Sequence, residues 1–365
     1  MRILLFGEYS GLFNCLADGL RELGHEVFLA SGGDDYKDYP SDFRWDKTNH
    51  PWFWRWYLNR YMGVCHVLKH KKLFEGYDVV HVISCRPFSY YRFINLDIFK
   101  RLKQHNGKVF ISGSGLDYVG AKYWYEQTDS KYYNYVRLFV EESRKKWKVN
   151  PFIEREDLRK EELEIMSLVD GYIPIMYEYV PYYEGHKNLR PTIPIPINLS
   201  KFEYAPNVTG SDGKVVFFHG LTRPSKGGKY ILEAFDRLRD KYAGTVDFVS
   251  KGGLPFKEYT ELLKRTNVVL DDANAYSLGM NSLFSMAQGR IVMGGSEPIA
   301  NKELGYQFAP AINLRLDTDY IAMQIEKLID ERNSFEERGL LSRKLVEEYH
   351  DYIKVAQRYV DEWSK

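Results

Sequence analysis

A proline-rich segment near the middle of the chain is the feature that most restricts its fold. Residues 187–213 contain four prolines and two glycines. Proline cannot continue a helix and is excluded from central strands. We therefore interpret this segment as a linker between two domains, which agrees with a length of 365 residues at roughly 150 residues per domain.

On both sides of the linker, short apolar runs alternate with segments of helical periodicity. Before it, we predict strands at 2–6, 26–31, 78–83, 107–112 and 171–175, and a helix at 12–23. After it, we predict strands at 215–220, 246–253, 268–272 and 290–295, and helices at 229–242, 256–266, 281–289, 317–329 and 335–363. This alternation predicts α/β domains with doubly wound parallel sheets, whose ligands bind at the carboxyl ends of the strands.

The expected limits of the two domains follow from the linker. The first domain is predicted at 1–195 and the second at 196–349. A C-terminal helix at 350–365 is expected to pack back on the first domain.

Composition excludes several classes of protein. The chain has 51 Lys and Arg against 50 Asp and Glu, which argues against a nucleic-acid binder. Its three cysteines form no C-x-x-C pair, so neither a zinc cluster nor a disulfide framework is predicted. No apolar run reaches the ~18 residues of a membrane span, and we expect a cytoplasmic protein. Residues 144–148 form a basic run. This run either contacts the anionic inner surface of the membrane or is the solvated side of a helix.

The loop after the strand at 215–220 is a candidate anion site. His219 lies at the end of the strand, and Arg223, Lys226 and Lys229 follow it. Amides at a helix N-terminus, together with nearby cations, attract phosphate. The alternative is a solvated basic loop. His219 is also a catalytic candidate, because it lies at the carboxyl end of a strand.

A second candidate anion site follows the strand at 268–272. Gly279 permits close backbone approach, and the amides of Met280, Asn281 and Ser282 would open the next helix. The alternative is an ordinary helix cap. Two such sites in one domain favour a diphosphate ligand.

The first domain offers loops rather than a cofactor motif. Its first loop, with Glu8, Ser10 and Gly11, lacks the G-x-G-x-x-G dinucleotide pattern, and we assign it to the acceptor side. A later loop places Ser114 and Asp117 beyond a strand as catalytic candidates, with an ordinary turn as the alternative. No cofactor and no metal ion are predicted.

Three segments of the second half carry a family pattern in the right order. Residues 195–202 read IPINLSKF, Arg223 and Lys226 follow, and residues 282–289 read SLFSMAQG after Gly279. In these segments the chain resembles the retaining GT-B glycosyltransferases of family 4. The resemblance implies two Rossmann-like domains that face each other across a cleft, with a nucleotide sugar on the second. It also implies that Arg223 and Lys226 bind the donor pyrophosphate without a metal ion.

The chain departs from that family at two positions. Tyr276 and Phe284 stand where the family has two glutamates, one near the donor sugar and one on the ribose. We expect a glycosyltransferase acting on a glycan or lipid-linked acceptor in bacterial cell-surface polysaccharide biosynthesis. Because of these two departures, one alternative is a catalytically inactive homologue that binds a glycan or a partner protein as a regulator. A second alternative is a nucleotide-sugar epimerase, which can share this fold.

Aromatic residues are abundant, with 29 Tyr, 21 Phe and 7 Trp. Several cluster in one segment of the first domain that includes Trp54 and Trp56. Aromatic faces suit the apolar face of a sugar ring. We therefore predict an acceptor surface at Trp54 and Trp56.

Overall fold

The computed structural model describes residues 1–34, 38–46, 53–88, 94–147, 152–210, 212–221 and 223–365. Of residues 53–60, 143, 145–147, 152 and 256–257 it describes the backbone alone. The chain forms two compact units. The first comprises Met1–Tyr123, Phe152–Asn198 and Tyr352–Lys365, and the second comprises Trp124–Pro151 and Leu199–Asp351.

The first unit is built on a parallel sheet. Its described strands are β1 (Arg2–Phe6), β2 (Glu26–Ser31), β3 (Phe43–Arg44), β4 (Val79–Val82), β5 (Lys108–Gly113) and β6 (Gly171–Pro174). They lie in the order β3-β2-β1-β4-β5-β6. Every pairing is parallel, so each strand returns through a crossover as in a doubly wound fold.

Helices cover the first sheet. They are α1 (Leu12–Glu22), α2 (Phe53–Lys69), α3 (Ile94–His105), α4 (Tyr118–Glu126), which extends past the end of this unit, α6 (Glu156–Leu168) and α13 (Tyr352–Ser364). Helix α13 packs on α1, where Gly19 leaves room for the carbonyl oxygen of Tyr352. A side chain at position 19 would overlap that oxygen. The contact therefore requires glycine inside a helix, where alanine is usually preferred.

A buried histidine links α13 to the centre of this sheet. The indole Nε1–H of Trp363 donates to Nδ1 of His81 at 3.1 Å, and Nε2 of His81 lies 2.9 Å from Ser112 Oγ. Because indole only donates, the neutral ring carries its proton on Nε2. Burial lowers the pKa of His81 to about 3. His81 is thus a core residue whose two ring nitrogens are both hydrogen-bonded.

The second unit is also built on a parallel sheet. Its described strands are β7 (Val215–Leu221), β8 (Val246–Gly252), β9 (Val268–Leu270), β10 (Ile291–Gly294) and β11 (Ile312–Asn313). They lie in the order β11-β10-β9-β7-β8. Its helices are α5 (Lys131–Trp147), α7 (Gly228–Arg239), α8 (Phe256–Lys264), α9 (Met280–Ala287), α10 (Pro298–Glu303), α11 (Thr318–Asp330) and α12 (Phe335–Leu345). The predicted α/β class, with two Rossmann-like parallel sheets, is confirmed.

Buried aromatic rings fill the core of the second unit. Phe217 stacks on Phe248 with ring centroids 5.7 Å apart, and Phe235 of α7 lies 4.9 Å from Phe248. These contacts fix α7 against β7 and β8. The loop between β7 and α7 is thereby held at the carboxyl edge of the sheet.

Arg290 holds the linker against the second unit. Its buried guanidinium donates to the carbonyl oxygens of Gln288 and Thr266, and to that of Ala205 in the linker. Burial lowers its pKa to about 10, so it stays charged at neutral pH. Carbonyl oxygens rather than a carboxylate satisfy this cation.

The segment predicted as helical at 335–363 is interrupted, and a separate helix follows near the expected start at 350. Helix α12 ends at Leu345, a π-helical turn spans Val346–His350, and Asp351 is extended before α13 begins. Tyr352 N–H donates to the carbonyl oxygen of Ile197 at 3.2 Å. That tertiary hydrogen bond draws the chain out of the helix, and the segment after it belongs to the first unit.

Helix α5 belongs to the second unit although it precedes the linker, inside the predicted first domain. Aromatic rings explain its placement. Trp124 stacks on Tyr276 with centroids 5.7 Å apart, and Tyr132 lies 5.3 Å from Trp124. Helix α5 also packs against the turn Pro224–Lys226.

Candidate functional site

An ion pair lies at the carboxyl edge of the second sheet. Lys226 Nζ lies 3.0 Å from Asp271 Oδ1, and Ser282 Oγ–H donates to Asp271 Oδ2 at 2.9 Å. These residues come from the loop after β7, the end of β9 and the first turn of α9. The sequence singled out all three segments, and Asp271 joins them.

Charge and burial set the protonation states of this pair. Burial alone would lower the pKa of Lys226, but the charges of Asp271 and Asp272 outweigh it and raise that pKa above its usual range. Burial alone would raise the pKa of Asp271, but the Lys226 charge and the hydrogen bonds from Lys226 and Ser282 lower it. Both groups are therefore ionised at neutral pH. Lysine has three N–H donors, and the bond to Asp271 uses one of them.

The loop that carries Lys226 is fixed through its backbone. Asn274 Nδ2–H donates to the carbonyl oxygen of Ser225 at 2.5 Å, and Ala273 N–H donates to that of Lys226 at 3.0 Å. Gly227 has a φ of 77°, and Leu316 lies 2.5 Å from where its Cβ would be. Glycine is thus required at this turn for both conformation and space.

Two buried polar atoms of this turn have no hydrogen-bond partner within the described residues. They are Ser225 Oγ and Asn274 Oδ1. Buried polar groups are nearly always paired with protein, water or ligand. Both residues are fully buried, and the Asn274 oxygen can only accept a hydrogen bond, so neither atom is assigned to anion binding.

The N-terminus of α9 is open. Gly279 is the N-cap residue, and no side-chain oxygen caps the first turn. A Cβ on Gly279 would meet no atom within 4 Å. The first amides of a helix have no intrahelical acceptor and carry the positive end of its dipole. The amides of Met280, Asn281 and Ser282 therefore form a place where an anion can bind.

The other predicted donor residues lie around this site. Arg223 is exposed and precedes the turn that carries Lys226. The Lys229 side chain is 81% exposed and lies 3.6 Å from Glu233 on the same helix. The Lys226 side chain, in contrast, is only 23% exposed.

His219 is buried beside the ion pair. Its Nδ1–H donates to the carbonyl oxygen of Leu270 at 2.9 Å, which leaves Nε2 as an acceptor. Nε2 lies 2.8 Å from where a Cβ on Gly228 would be. Burial lowers the pKa of His219, so a neutral ring joins the ends of β7 and β9 under the start of α7.

A carboxylate that the sequence reasoning missed lies next to Tyr276. Glu297 N–H donates to the carbonyl oxygen of Tyr276 at 2.9 Å. Its Oε1 accepts from Asn313 Nδ2 at 2.8 Å and from Lys131 Nζ at 3.1 Å. Lys131 belongs to α5 and Glu297 follows β10, so only the folded unit brings them together.

Phe284 is a core residue. It is buried and stacks on Phe202 with ring centroids 4.7 Å apart and planes 22° from parallel. The position therefore presents no polar group to a ligand. Phe284 therefore cannot make the ribose contact that a glutamate makes at this position in the family described above.

In the first unit, the N-terminus of α1 is occupied by a carboxylate of the protein itself. Both oxygens of the buried Glu8 carboxylate accept from the start of α1: Oε1 from Gly11 N–H and Oε2 from Asn14 N–H, each at 2.9 Å. Burial raises the pKa of Glu8 to about 7, against the opposing effect of these bonds. Ser10 N–H donates to Asp34 Oδ2 at 2.8 Å. Carboxylates of the protein thus occupy the place of an anion here.

The loop with Ser114 and Asp117 joins β5 to α4. Ser114 Oγ–H donates to the carbonyl oxygen of Ile83. Asp117 Oδ1 accepts from Gly120 N–H at 2.6 Å and so caps α4. The buried Glu162 accepts from Tyr118 and Val119 amides at the same helix end. Burial raises the pKa of Asp117 to about 7, and burial with the Asp117 charge raises that of Glu162.

Some predictions fall outside the described part of the chain. The side chains of Trp54 and Trp56 lie there, as do most of the basic run 144–148. Among the described residues, no cluster of three His, Cys, Asp or Glu side chains is arranged to hold a metal ion. Within the same residues, no helix has the length and apolar content needed to cross a membrane.

The whole chain resembles several solved structures. Sucrose-phosphate synthase from Thermosynechococcus elongatus matches with a TM-score of 0.64 at 13% identity, over 100% of this chain and 98% of that one. HepE from Anabaena, in complex with UDP-glucose, matches with a TM-score of 0.60 at 12% identity over 100% of both chains. A glycosyltransferase from Rickettsia africae matches with a TM-score of 0.54 at 11% identity, over 99% and 97%.

No protein-family model matches the sequence, and no curated protein matches it. At these identities the structural likeness establishes the predicted GT-B fold. Membership of family 4 stays a prediction.

Restoring the family carboxylate at position 284 is expected to harm the protein. Phe284→Glu would bury a carboxylate against Phe202 and lower the free energy of unfolding by about 3–5 kcal/mol. Phe284→Leu, which keeps an apolar side chain, should cost only about 1 kcal/mol. Urea denaturation measures both. Equal stability of Phe284→Glu and the wild type would show that this position is open to a ligand.

Proposed function

We propose that the protein is a glycosyltransferase whose second unit binds the diphosphate of a nucleotide sugar. The observation that carries this proposal is the open N-terminus of α9 beside the Lys226 ammonium. The corresponding terminus of α1 in the first unit is filled by Glu8. The UDP-glucose bound in HepE, a protein of the same fold, supports a nucleotide sugar as the ligand.

The roles of the second-unit residues follow from their chemistry. The amides of Met280, Asn281 and Ser282 and the cations Arg223 and Lys226 bind the two phosphates. Asp271 holds the Lys226 ammonium in place and leaves two of its donors for oxygen atoms of the ligand. When the bond to the sugar breaks, these groups stabilise the charge that develops on the leaving diphosphate. We propose no metal ion or further cofactor for this step.

We assign the acceptor to the first unit, on the loops with Glu8, Ser10, Gly11, Ser114 and Asp117. Asp117 is the candidate base, because it lies in the loop after β5, where its carboxylate accepts from Gly120 N–H at the start of α4. Burial raises its pKa to about 7, the range in which a general base works best. We propose that the acceptor is a glycan or a lipid-linked molecule and that the reaction belongs to bacterial surface polysaccharide biosynthesis. The expected location is the cytoplasm, at the inner face of the membrane.

Donor binding is expected to depend on Lys226. In calorimetric titrations with a panel of UDP-, GDP- and ADP-sugars, at least one should bind to the wild type. Lys226→Ala with Arg223→Ala should weaken that binding at least ~100-fold, because two charge-assisted contacts are lost. Lys241→Ala removes a lysine beyond the far end of α7 and is the matched control, with unchanged affinity expected. No binding of any nucleotide sugar, or binding unaffected by the double variant, would refute the assignment.

Glu297 is expected to contact the donor sugar, since Tyr276 offers no carboxylate there. Glu297→Gln should weaken binding of the complete nucleotide sugar about 10-fold, because a charged hydrogen bond to a hydroxyl is lost. Binding of the nucleoside diphosphate alone should not change. Glu303→Gln, on the exposed end of α10, is the matched control. Equal effects on both ligands would make Glu297 a purely structural partner of Lys131.

The second candidate function is a donor-binding protein that transfers no sugar. The aromatic side chains at 276 and 284 favour it, since neither supplies a charge. A turnover assay with the donor that binds distinguishes the two functions. Transfer or donor hydrolysis that is lost in Lys226→Ala and in Asp117→Asn supports the enzyme. Donor binding with no turnover supports the binding protein, and interconversion of the free nucleotide sugar would indicate an epimerase.

A further inference from the structure

We propose that the outward face of α2 binds an anionic membrane surface. This face, the α2 face, consists of Tyr61, Met62, Cys65 and Leu68, with Leu73 just beyond the helix. It lies on the first unit. The proposal does not depend on the proposed enzymatic activity.

The α2 face is apolar although it is exposed. Met62 is 57% exposed and Leu68 is 45% exposed, and Tyr61 and Leu73 are exposed to a similar degree. Val64 and Val67 of the same helix are buried. A helix on the surface of a globular protein usually turns polar residues outward. Helix α2 instead carries apolar residues on both its inner and its outer side.

The exposed residues form one continuous stripe. Tyr61, Cys65 and Leu68 are spaced by four and three residues, and Met62 adjoins them. Residues at such spacings are neighbours on one face of a helix. The face is therefore a contiguous apolar surface rather than a set of scattered side chains, and contiguous apolar surface marks an interaction site.

Positive charge borders this stripe. Lys69, Lys71 and Lys72 are all exposed. From Phe53 to Phe74 the sequence contains Arg55, Arg60 and those three lysines, and no Asp or Glu. A helix that combines aromatic and aliphatic residues with Lys and Arg, and lacks acids, is typical of segments that lie in a membrane interface. Anionic lipid headgroups attract such lysines.

The charge pattern favours lipid over a second copy of the chain. In a two-fold dimer each surface patch meets the same patch of the partner. Both copies of the patch would then bring Lys69, Lys71 and Lys72 to the contact, with no Asp or Glu between 53 and 74 to pair with them, and an excess of like charge at an interface opposes association. An anionic bilayer satisfies both the apolar stripe and the lysines.

Vesicle flotation of the full chain tests this assignment. Vesicles of phosphatidylcholine with about one-third phosphatidylglycerol should bind the wild type, and vesicles of phosphatidylcholine alone should bind it much less. Met62→Ser with Leu68→Ser should weaken binding to the anionic vesicles at least ~10-fold, because two apolar side chains no longer enter the interface. Lys71→Ser with Lys72→Ser should weaken it similarly and reduce its salt dependence.

Matched variants elsewhere on the surface provide the control. Met323 is 53% exposed and Leu340 is similarly exposed, and both lie on the second unit. Met323→Ser with Leu340→Ser should bind vesicles as the wild type does. Thermal unfolding should show that all three double variants are folded, since the changed side chains are exposed.

Three results would overturn the proposal. The wild type would not float with anionic vesicles, or the α2 variants would float as well as the control variant does. Alternatively, the wild type would be a dimer by size-exclusion light scattering, and Met62→Ser with Leu68→Ser would make it a monomer. None of these measurements involves a nucleotide sugar, so failure here leaves the proposed donor site untouched, and failure of donor binding leaves this proposal untouched.

Discussion

The ion pair between Lys226 and Asp271 is the contact on which the candidate site depends. It joins the loop after β7 to the end of β9, and Ser282 extends it to the first turn of α9. Three segments that are up to 56 residues apart in sequence, since Lys226 and Ser282 are the most distant members, are thereby held at one edge of one sheet. Breaking a buried pair by removing one partner leaves an uncompensated charge, so the loop, the strand end and the helix start are coupled.

The two units show two uses of the same local geometry. A helix begins after the first strand of the first sheet and after the central strand of the second, and each exposes unpaired amides. Glu8 satisfies those of α1 with its own carboxylate, whereas Gly279 leaves those of α9 open. An anion would have to displace a buried carboxylate in the first unit. In the second it meets the open amides of α9 and the ammonium of Lys226, whose side chain is 23% exposed.

Local sequence was sufficient to predict most elements of the fold. Strands 2–6 and 26–31 have the predicted limits, because each is a buried apolar run bordered by glycine or a polar turn. The helical pattern at 335–363 shows no break, and only the separately expected helix at 350–365 marks one; the hydrogen bond from Tyr352 to Ile197 that accompanies the break is encoded by no local pattern. The placement of α5 was missed for the same reason, since the Trp124–Tyr276 stack joins residues that lie far apart in sequence.

The candidate site was predictable in part. Lys226, Gly279 and Ser282 follow strand ends, and that position alone identified them. Asp271 and Glu297 were not singled out, because their partners Lys226 and Lys131 are distant in sequence. Glu8 was assigned to the acceptor side from its loop alone; the structure adds that its carboxylate binds the amides of Gly11 and Asn14 at the start of α1.

Hydrogen–deuterium exchange with and without a nucleoside diphosphate tests the central claim most directly. A bound diphosphate should slow exchange of the amides at 280–282, since those groups become hydrogen-bonded to it. The amides of Gly11 and Asn14, already bonded to Glu8, should exchange at the same rate in both states. Protection at 11–14 with none at 280–282 would place the phosphates on the first unit and contradict the account.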